Sequence, residues 1–255
     1  MTLQSIFKAA CYKAGFSIKR LRTKRSSSAV SAAPSTPVDC MSLLHKVNPY
    51  AGFDHTVYPD DSSGWGSQSP AFRELLTRTR PRLVIEVGTW KGGSALEMAS
   101  VCRELKLGTK IICVDTWLGA LEFWLNLEDA ERYGSLQLKH GYPSVYYQFL
   151  ANVCRRGFQD LIIPFPQTSA TAALWFRCHG VQAELIYIDG SHEEEDVYGD
   201  LCDYWGLVAP GGSLFGDDYS WDGVRLAVNR FAREERLSLE FLSDKWVLRQ
   251  RSSGS

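Results

Sequence analysis

The sequence predicts an α/β fold: a mostly parallel seven-stranded sheet with helices on both faces and a C-terminal antiparallel hairpin. Three observations carry this expectation. Short, near-continuous apolar runs alternate with longer segments of helical periodicity, the pattern of strands buried on both faces of a parallel sheet. Five of those runs end on polar or acidic residues: Glu86-Val87-Gly88, Asp115-Thr116, Pro166-Gln167, Asp189-Gly190 and Asp217-Asp218. The chain of 255 residues is long enough for one such domain and shows no internal repeat.

The elements follow in order. Pro70 opens a predicted helix over 71–80. "RLVIEVG" (82–88) and "KIICVDT" (110–116) read as strands, separated by the helix 93–105. A long segment, 116–142, precedes the helix 143–156. Strands are predicted at 160–166, 183–190 and 211–219, with helices at 170–178, 193–207 and 221–234 between and after them. Two short strands, 238–243 and 245–250, close the chain as a hairpin. Residues 48–70, aromatic and rich in turn residues, read as an ordered cover segment.

A net charge of −1 conceals an asymmetry. Residues 1–38 carry seven basic residues and no acidic one, so the remainder holds all 29 acidic side chains against 21 basic ones. An acidic domain gives no support for nucleic-acid binding. The first 22 residues pattern as a basic amphipathic helix, and 25–37 form a Ser/Ala/Pro linker. This head suits a transit peptide, a membrane or partner contact, or a poorly ordered arm. The expected organisation is an arm with its linker over 1–38, the domain over 39–250 and a tail over 251–255. Seven dispersed cysteines with no CxxC pair argue against a zinc knuckle or disulfide framework and for a reducing compartment, the cytoplasm. No apolar run approaches the ~18 residues of a membrane-spanning helix.

The loop "VIEVGTWKGGSA" joins the first long strand to its helix. Its glycines, 88, 92 and 93, do not match G-x-G-x-x-G, and Ser94 stands where a phosphate-binding loop needs lysine. Glu86 at the strand end repels phosphate and suits an ammonium. The helix start at Gly93-Ser94 offers N–H groups to a carboxylate. Asp115 ends the next strand, 27 residues after Gly88, where dinucleotide folds place the acid that binds ribose hydroxyls. An amino acid joined to a ribose without phosphate describes S-adenosylmethionine.

With "CVDTW" and "YIDGSH", this loop resembles class I S-adenosylmethionine-dependent methyltransferases over about residues 60–250. The likeness is to metal-dependent O-methyltransferases related to catechol O-methyltransferase and to the bacterial enzymes that methylate macrolide sugars and glycans. It implies a Rossmann-like fold, and it places Glu86, Gly88, Thr89 and Gly92 at the methionine part and Ser94 at the carboxylate. It also places Asp115 and Thr116 at the ribose and Ser169, with Thr168, near the adenine.

Asp189 closes the fourth strand, and Asp217 with Asp218 the fifth. Three converging carboxylates raise one another's pKa unless a cation intervenes. Oxygen ligation favours Mg2+, or Mn2+ or Ca2+, over zinc. Relatives place metal ligands at these strand ends. His192, three residues after Asp189, is the expected general base: a hydroxyl must lose a proton as its oxygen attacks the methyl group, and imidazole titrates near neutrality. The acidic run 193–196 reads as an ordinary helix first turn. Within 116–142, Trp117, Phe123, Trp124 and Tyr133, joined by Trp221, are candidates for an acceptor pocket.

The expected activity is therefore methyl transfer to a metal-coordinated hydroxyl of a sugar, glycan or glycosylated small molecule. Catechol or phenol methylation, a metal-dependent hydroxylase-like enzyme of the same fold, and a non-catalytic S-adenosylmethionine-binding protein are the alternatives. The sequence does not fix the oligomeric state.

Overall fold

A computed structural model describes residues 39–62, 64 and 66–250; the basic arm and the tail expected from the sequence lie outside them. After a short helix α1 (Cys40–Leu44), α2 (Pro70–Thr79) leads into β1 (Leu83–Val87) and α3 (Gly93–Glu104). There follow β2 (Lys110–Asp115), α4 (Val145–Arg156), β3 (Ile162–Pro166), α5 (Ser169–Cys178) and β4 (Ala183–Ile188). The chain ends with α6 (Glu194–Trp205), β5 (Val208–Gly216), α7 (Asp222–Glu234), β6 (Leu237–Leu242) and β7 (Lys245–Gln250).

The strands form one seven-stranded sheet in the order β3-β2-β1-β4-β5-β7-β6. The first five are parallel, and β7 runs antiparallel to both β5 and β6. Strand order reverses at β1, so the crevice between the carboxyl ends of β1 and β4 is the place where such sheets bind ligands.

Alternate strand residues feed two cores. Ile85, Val87, Ile112 and Ile186 pack with Phe176, Leu201 and Phe231 of α5, α6 and α7. Val84, Ile111, Leu185 and Tyr187 pack with Phe72, Met98 and Phe149 of α2, α3 and α4. Both faces are covered, which is why these strands read as continuous apolar runs rather than alternating ones.

Most boundaries move by one or two residues from the sequence reading, and two differences are larger. β5 begins at Val208, not 211, because a register shift between Ala183 and Leu185 accommodates Pro210-Gly211-Gly212 within the pairing. α1 was not foreseen; Asp39 caps it by accepting from the Ser42 N–H and hydroxyl. Among the described residues no helix is long and apolar enough to cross a membrane.

Candidate active site

The β1–α3 loop is packed directly against the turn that follows β4. Gly88 has φ +84°, and a Cβ there would stand 2.1 Å from the Asp189 carbonyl oxygen. Only glycine permits that approach. The Asp189 N–H donates to Val87 O at 2.8 Å and so ties the two strand ends together. The glycine loop and the Asp189–His192 turn therefore face one crevice.

Beneath the loop, Glu86 is fully buried. Its carboxylate accepts from the Ser94 hydroxyl, from Thr89 Oγ1 at 3.0 Å and from Cys113 Sγ at 3.4 Å. Burial pushes it up to about 7, against the lowering effect of those bonds. Glu86, expected at a ligand ammonium, thus also supports the loop from below. Ser94 likewise gives its hydroxyl to Glu86, which leaves its backbone N–H for a ligand. α3 starts from Gly92 with no side-chain cap, so its first-turn donors remain on offer to a carboxylate.

Asp115 holds the loop from the side. Its carboxylate accepts the N–H groups of Thr89 (2.8 Å), Trp90 (2.7 Å) and Trp117 (2.7 Å). A carboxylate has about four acceptor positions, so one remains for a ribose hydroxyl. Trp90 and Trp117 both sit in the left-handed region, φ 52° and 54°, unusual for bulky side chains. This local strain is over-determined by the Asp115 bonds and by Trp117 Nε1 donating to Trp90 O at 2.8 Å. Thr116 is occupied by its own turn, accepting from Leu118 N at 3.2 Å.

The adenine assignments meet structural partners. Thr168 caps α5 by accepting from the Thr171 N–H. Ser169 hydrogen-bonds Asp200 between α5 and α6, and its carbonyl accepts from Tyr204.

At β4 and β5 the three aspartates come close, but each carboxylate has a donor of its own. Tyr187 OH donates to Asp189 Oδ2 at 3.0 Å and lies 3.5 Å from Asp217 Oδ2. Asp217 Oδ1 accepts the Asp218 N–H at 2.8 Å, and Asp217 Oδ2 meets Lys245 Nζ at 2.5 Å. Asp218 Oδ2 is 2.9 Å from His192 Nε2. Burial, with Asp217 and Asp218 adding to it, pushes Asp189 well above the usual carboxylate range.

The small cavity among these residues, about 10 Å³, is walled partly by Val197, Val224 and Trp246. It has room for about one water and is not an all-oxygen cage. Among the described residues no group of three or more metal-ligating side chains is arranged to hold an ion. The donor set does not fit the expected three-aspartate metal site, because Lys245 already pairs with Asp217. Burial works against the lysine's charge, yet the bonds to Asp217 and Asp244 hold it above the ordinary lysine value.

His192 is stacked on one face and has a carboxylate beside each ring nitrogen. Its ring stacks on Trp221, with centroids 4.3 Å apart at 16°. A carboxylate only accepts, so Asp218 fixes the proton on Nε2 and leaves the lone pair of the neutral ring on Nδ1. Nδ1 is buried and has no hydrogen-bond partner. Glu122 Oε1, from the segment before α4, stands 3.2 Å from Nδ1, an ion-pair distance without hydrogen-bond geometry. Asp218's hydrogen bond raises His192 above its usual value, with burial opposing.

Of the expected acceptor aromatics, Trp117 and Phe123 are buried core residues: Trp117 packs on Tyr146 and Phe149, and Phe123 on Trp90. Trp124, edge-on to Tyr133, and Trp221 are exposed. The acidic run behaves as expected: Glu194, Glu195 and Asp196 form the first turn of α6.

Sequence reasoning missed Tyr187, Glu122 and Lys245 at this site, and also the pins of the cover segment. That segment crosses the start of α3, where a Cβ on Gly93 would lie 2.7 Å from Ser67 Cβ. Lys91 Nζ holds Asp61 at 2.6 Å, and Arg155 donates to the carbonyls of His55, Tyr58 and Pro59. The partners are distant in sequence, so no local pattern marks them.

A comparison with curated proteins finds no match. Among solved structures, an O-methyltransferase from Bacillus cereus in complex with SAH is 15% identical, with a TM-score of 0.51 over 86% of this chain and 92% of that one. CalS11, a calicheamicin methyltransferase, is 18% identical, with a TM-score of 0.51 over 71% of this chain and 77% of that one. Cofactor-bound Rv0187 from MTB is 13% identical, with a TM-score of 0.51 over 73% and 82%. At such identities the likeness shows the shared fold. The family model described as a methyltransferase domain matches residues 85–219, more than half of the sequence. The chain belongs to this methyltransferase family and has a Rossmann-like fold.

Proposed function

We propose that the chain transfers a methyl group from S-adenosylmethionine to a hydroxyl of a sugar, glycan or glycosylated small molecule, with His192 as general base. The observation that carries this reading is the buried, unbonded Nδ1 of His192, held by Asp218 at its other nitrogen and by Trp221 on its face. The uncapped start of α3 suits the cofactor's carboxylate, and the remaining acceptor position of Asp115 suits its ribose.

When bound, S-adenosylmethionine supplies a methyl carbon on a positively charged sulfur, which keeps the bonding pair as the methyl passes to the acceptor oxygen. His192 Nδ1 takes the proton that the hydroxyl releases. Glu122, 3.2 Å away, repels a neutral lone pair but attracts the imidazolium once formed. The proton then leaves to solvent as product departs.

The exposed faces of Trp124 and Trp221 support a ring-bearing acceptor. CalS11, described as a TDP-rhamnose 3'-O-methyltransferase, shares the fold, which favours a sugar. A phenolic acceptor is the second reading, favoured by the same aromatic faces. The Mg2+ ion expected on Asp189, Asp217 and Asp218 has no part in this proposal, because Lys245 pairs with Asp217 and Tyr187 donates to Asp189. The dispersed cysteines support a reducing compartment, and the basic residues before position 38 suit an anionic membrane or partner surface.

The test is a labelled-methyl screen against glycans, sugar nucleotides and phenols, followed by His192→Ala on the acceptor found. Turnover should fall by about 10²–10⁴-fold with SAH binding unchanged. Wild-type turnover in the variant would sink the assignment of the base.

A further inference from the structure

We infer that the Lys245 ammonium takes the place of a divalent cation at the strand-end carboxylates, so that this site works without a bound metal ion. The enzymatic half of the inference rests on the methyl-transfer reading above; the binding half stands on its own.

Lys245 opens β7, which pairs antiparallel with β5 in the register Gly216↔Trp246. That register brings residue 245 opposite Asp217, the first residue beyond β5. The side chain is fully buried. An ammonium has three N–H donors, and Lys245 has three acceptors: Asp217 Oδ2 at 2.5 Å, Asp244 Oδ2 at 2.8 Å and Gly66 O at 3.2 Å. Its charge is therefore fully engaged where the sequence leads one to expect a cation.

Three further observations leave a metal ion no room. An ion held by Asp217 Oδ2 at about 2.1 Å would lie within about 5 Å of Nζ, placing like charges together in a buried site. The cover segment closes this side: a Cβ on Gly66 would stand 2.1 Å from Asp217 Oδ2 and 3.2 Å from Nζ. A hydrated Mg2+, which usually keeps several waters, needs the space that the Gly66 backbone occupies. Finally, the remaining strand-end oxygens named above are paired within the protein, with Tyr187, the Asp218 N–H and His192.

The experiment uses the full-length chain with SAH present and titrates Mn2+ while following the electron paramagnetic resonance signal of the free ion. The wild type should cause no stoichiometric loss of that signal, and prior chelation should leave methyl transfer unchanged. Lys245→Met, which keeps the length and removes the charge, should gain Mn2+ binding. Stoichiometric binding by the wild type, or turnover lost on chelation and restored by Mg2+, overturns the inference. So does a folded Lys245→Met that takes up no Mn2+. If that variant does not fold, the wild-type titration decides. Failure of SAH itself to bind would count against the methyltransferase reading and would leave the Mn2+ result standing.

Discussion

His192 acquires its character from neighbours on three elements: Asp218 after β5, Trp221 before α7 and Glu122 from the segment after β2. The Asp218 bond raises its pKa. The base form therefore appears only above that raised value, and kcat should climb with pH through it. Asp218→Asn removes the charge that favours imidazolium, so the acidic limb of the pH–rate profile should move to lower pH; an unmoved limb would exclude this pairing. The linked stability has the opposite sense. A raised histidine pKa contributes stability that is present below the unfolded value and lost as pH rises through the folded one.

Glu86 provides a second residue-scale prediction. Burial raises it from 4.5 to about 7. The fold therefore binds a proton that the unfolded chain releases, and stability falls as pH rises across that interval, by about 3 kcal/mol in all. Glu86→Gln should flatten this decline in denaturant-unfolding curves recorded at several pH values. Glu86 and His192 stood out in the sequence as candidates, because an acid ending an apolar run and a histidine after a strand-end aspartate are local patterns. What they touch within the protein was not legible there: the bonds that Glu86 accepts from Thr89, Ser94 and Cys113 appear only in the folded chain.

At the scale of elements, periodicity and glycine placement revealed most helices and strands, because buried strands and amphipathic helices leave local signatures. The boundaries that shifted, as at β5, depend on pairing with a neighbour. The cover segment is the clearest case. Its turn-rich composition announced order, but what fastens it is Arg155, about a hundred residues away, on α4. Arg155→Ala should loosen residues 55–59 by about 1–3 kcal/mol, the worth of bonds to a charged group. Hydrogen exchange should rise there while β1 and β4 stay protected; uniform exchange across the domain would contradict a local strap.

At the scale of the molecule, the crevice between β1 and β4 gathers the glycine loop, Asp115 and His192 from separate stretches of sequence. A ligand bound only by that assembled state stabilises the fold by mass action, about 2.7 kcal/mol at a hundred times its Kd. For a domain of this size the melting temperature should then rise by about 5–10 °C with saturating SAH, measured by calorimetry. No shift would argue against the cofactor.

The sequence by itself determined the α/β class, the glycine turn, the strand-end acids and the candidate base, because each is written in neighbouring residues. Only the tertiary structure decided who partners whom. The order of the strands set Lys245 beside Asp217, and the packing of loops brought Glu122 to His192, since such charge pairing depends on which segments lie adjacent in the fold and not on their separation along the chain.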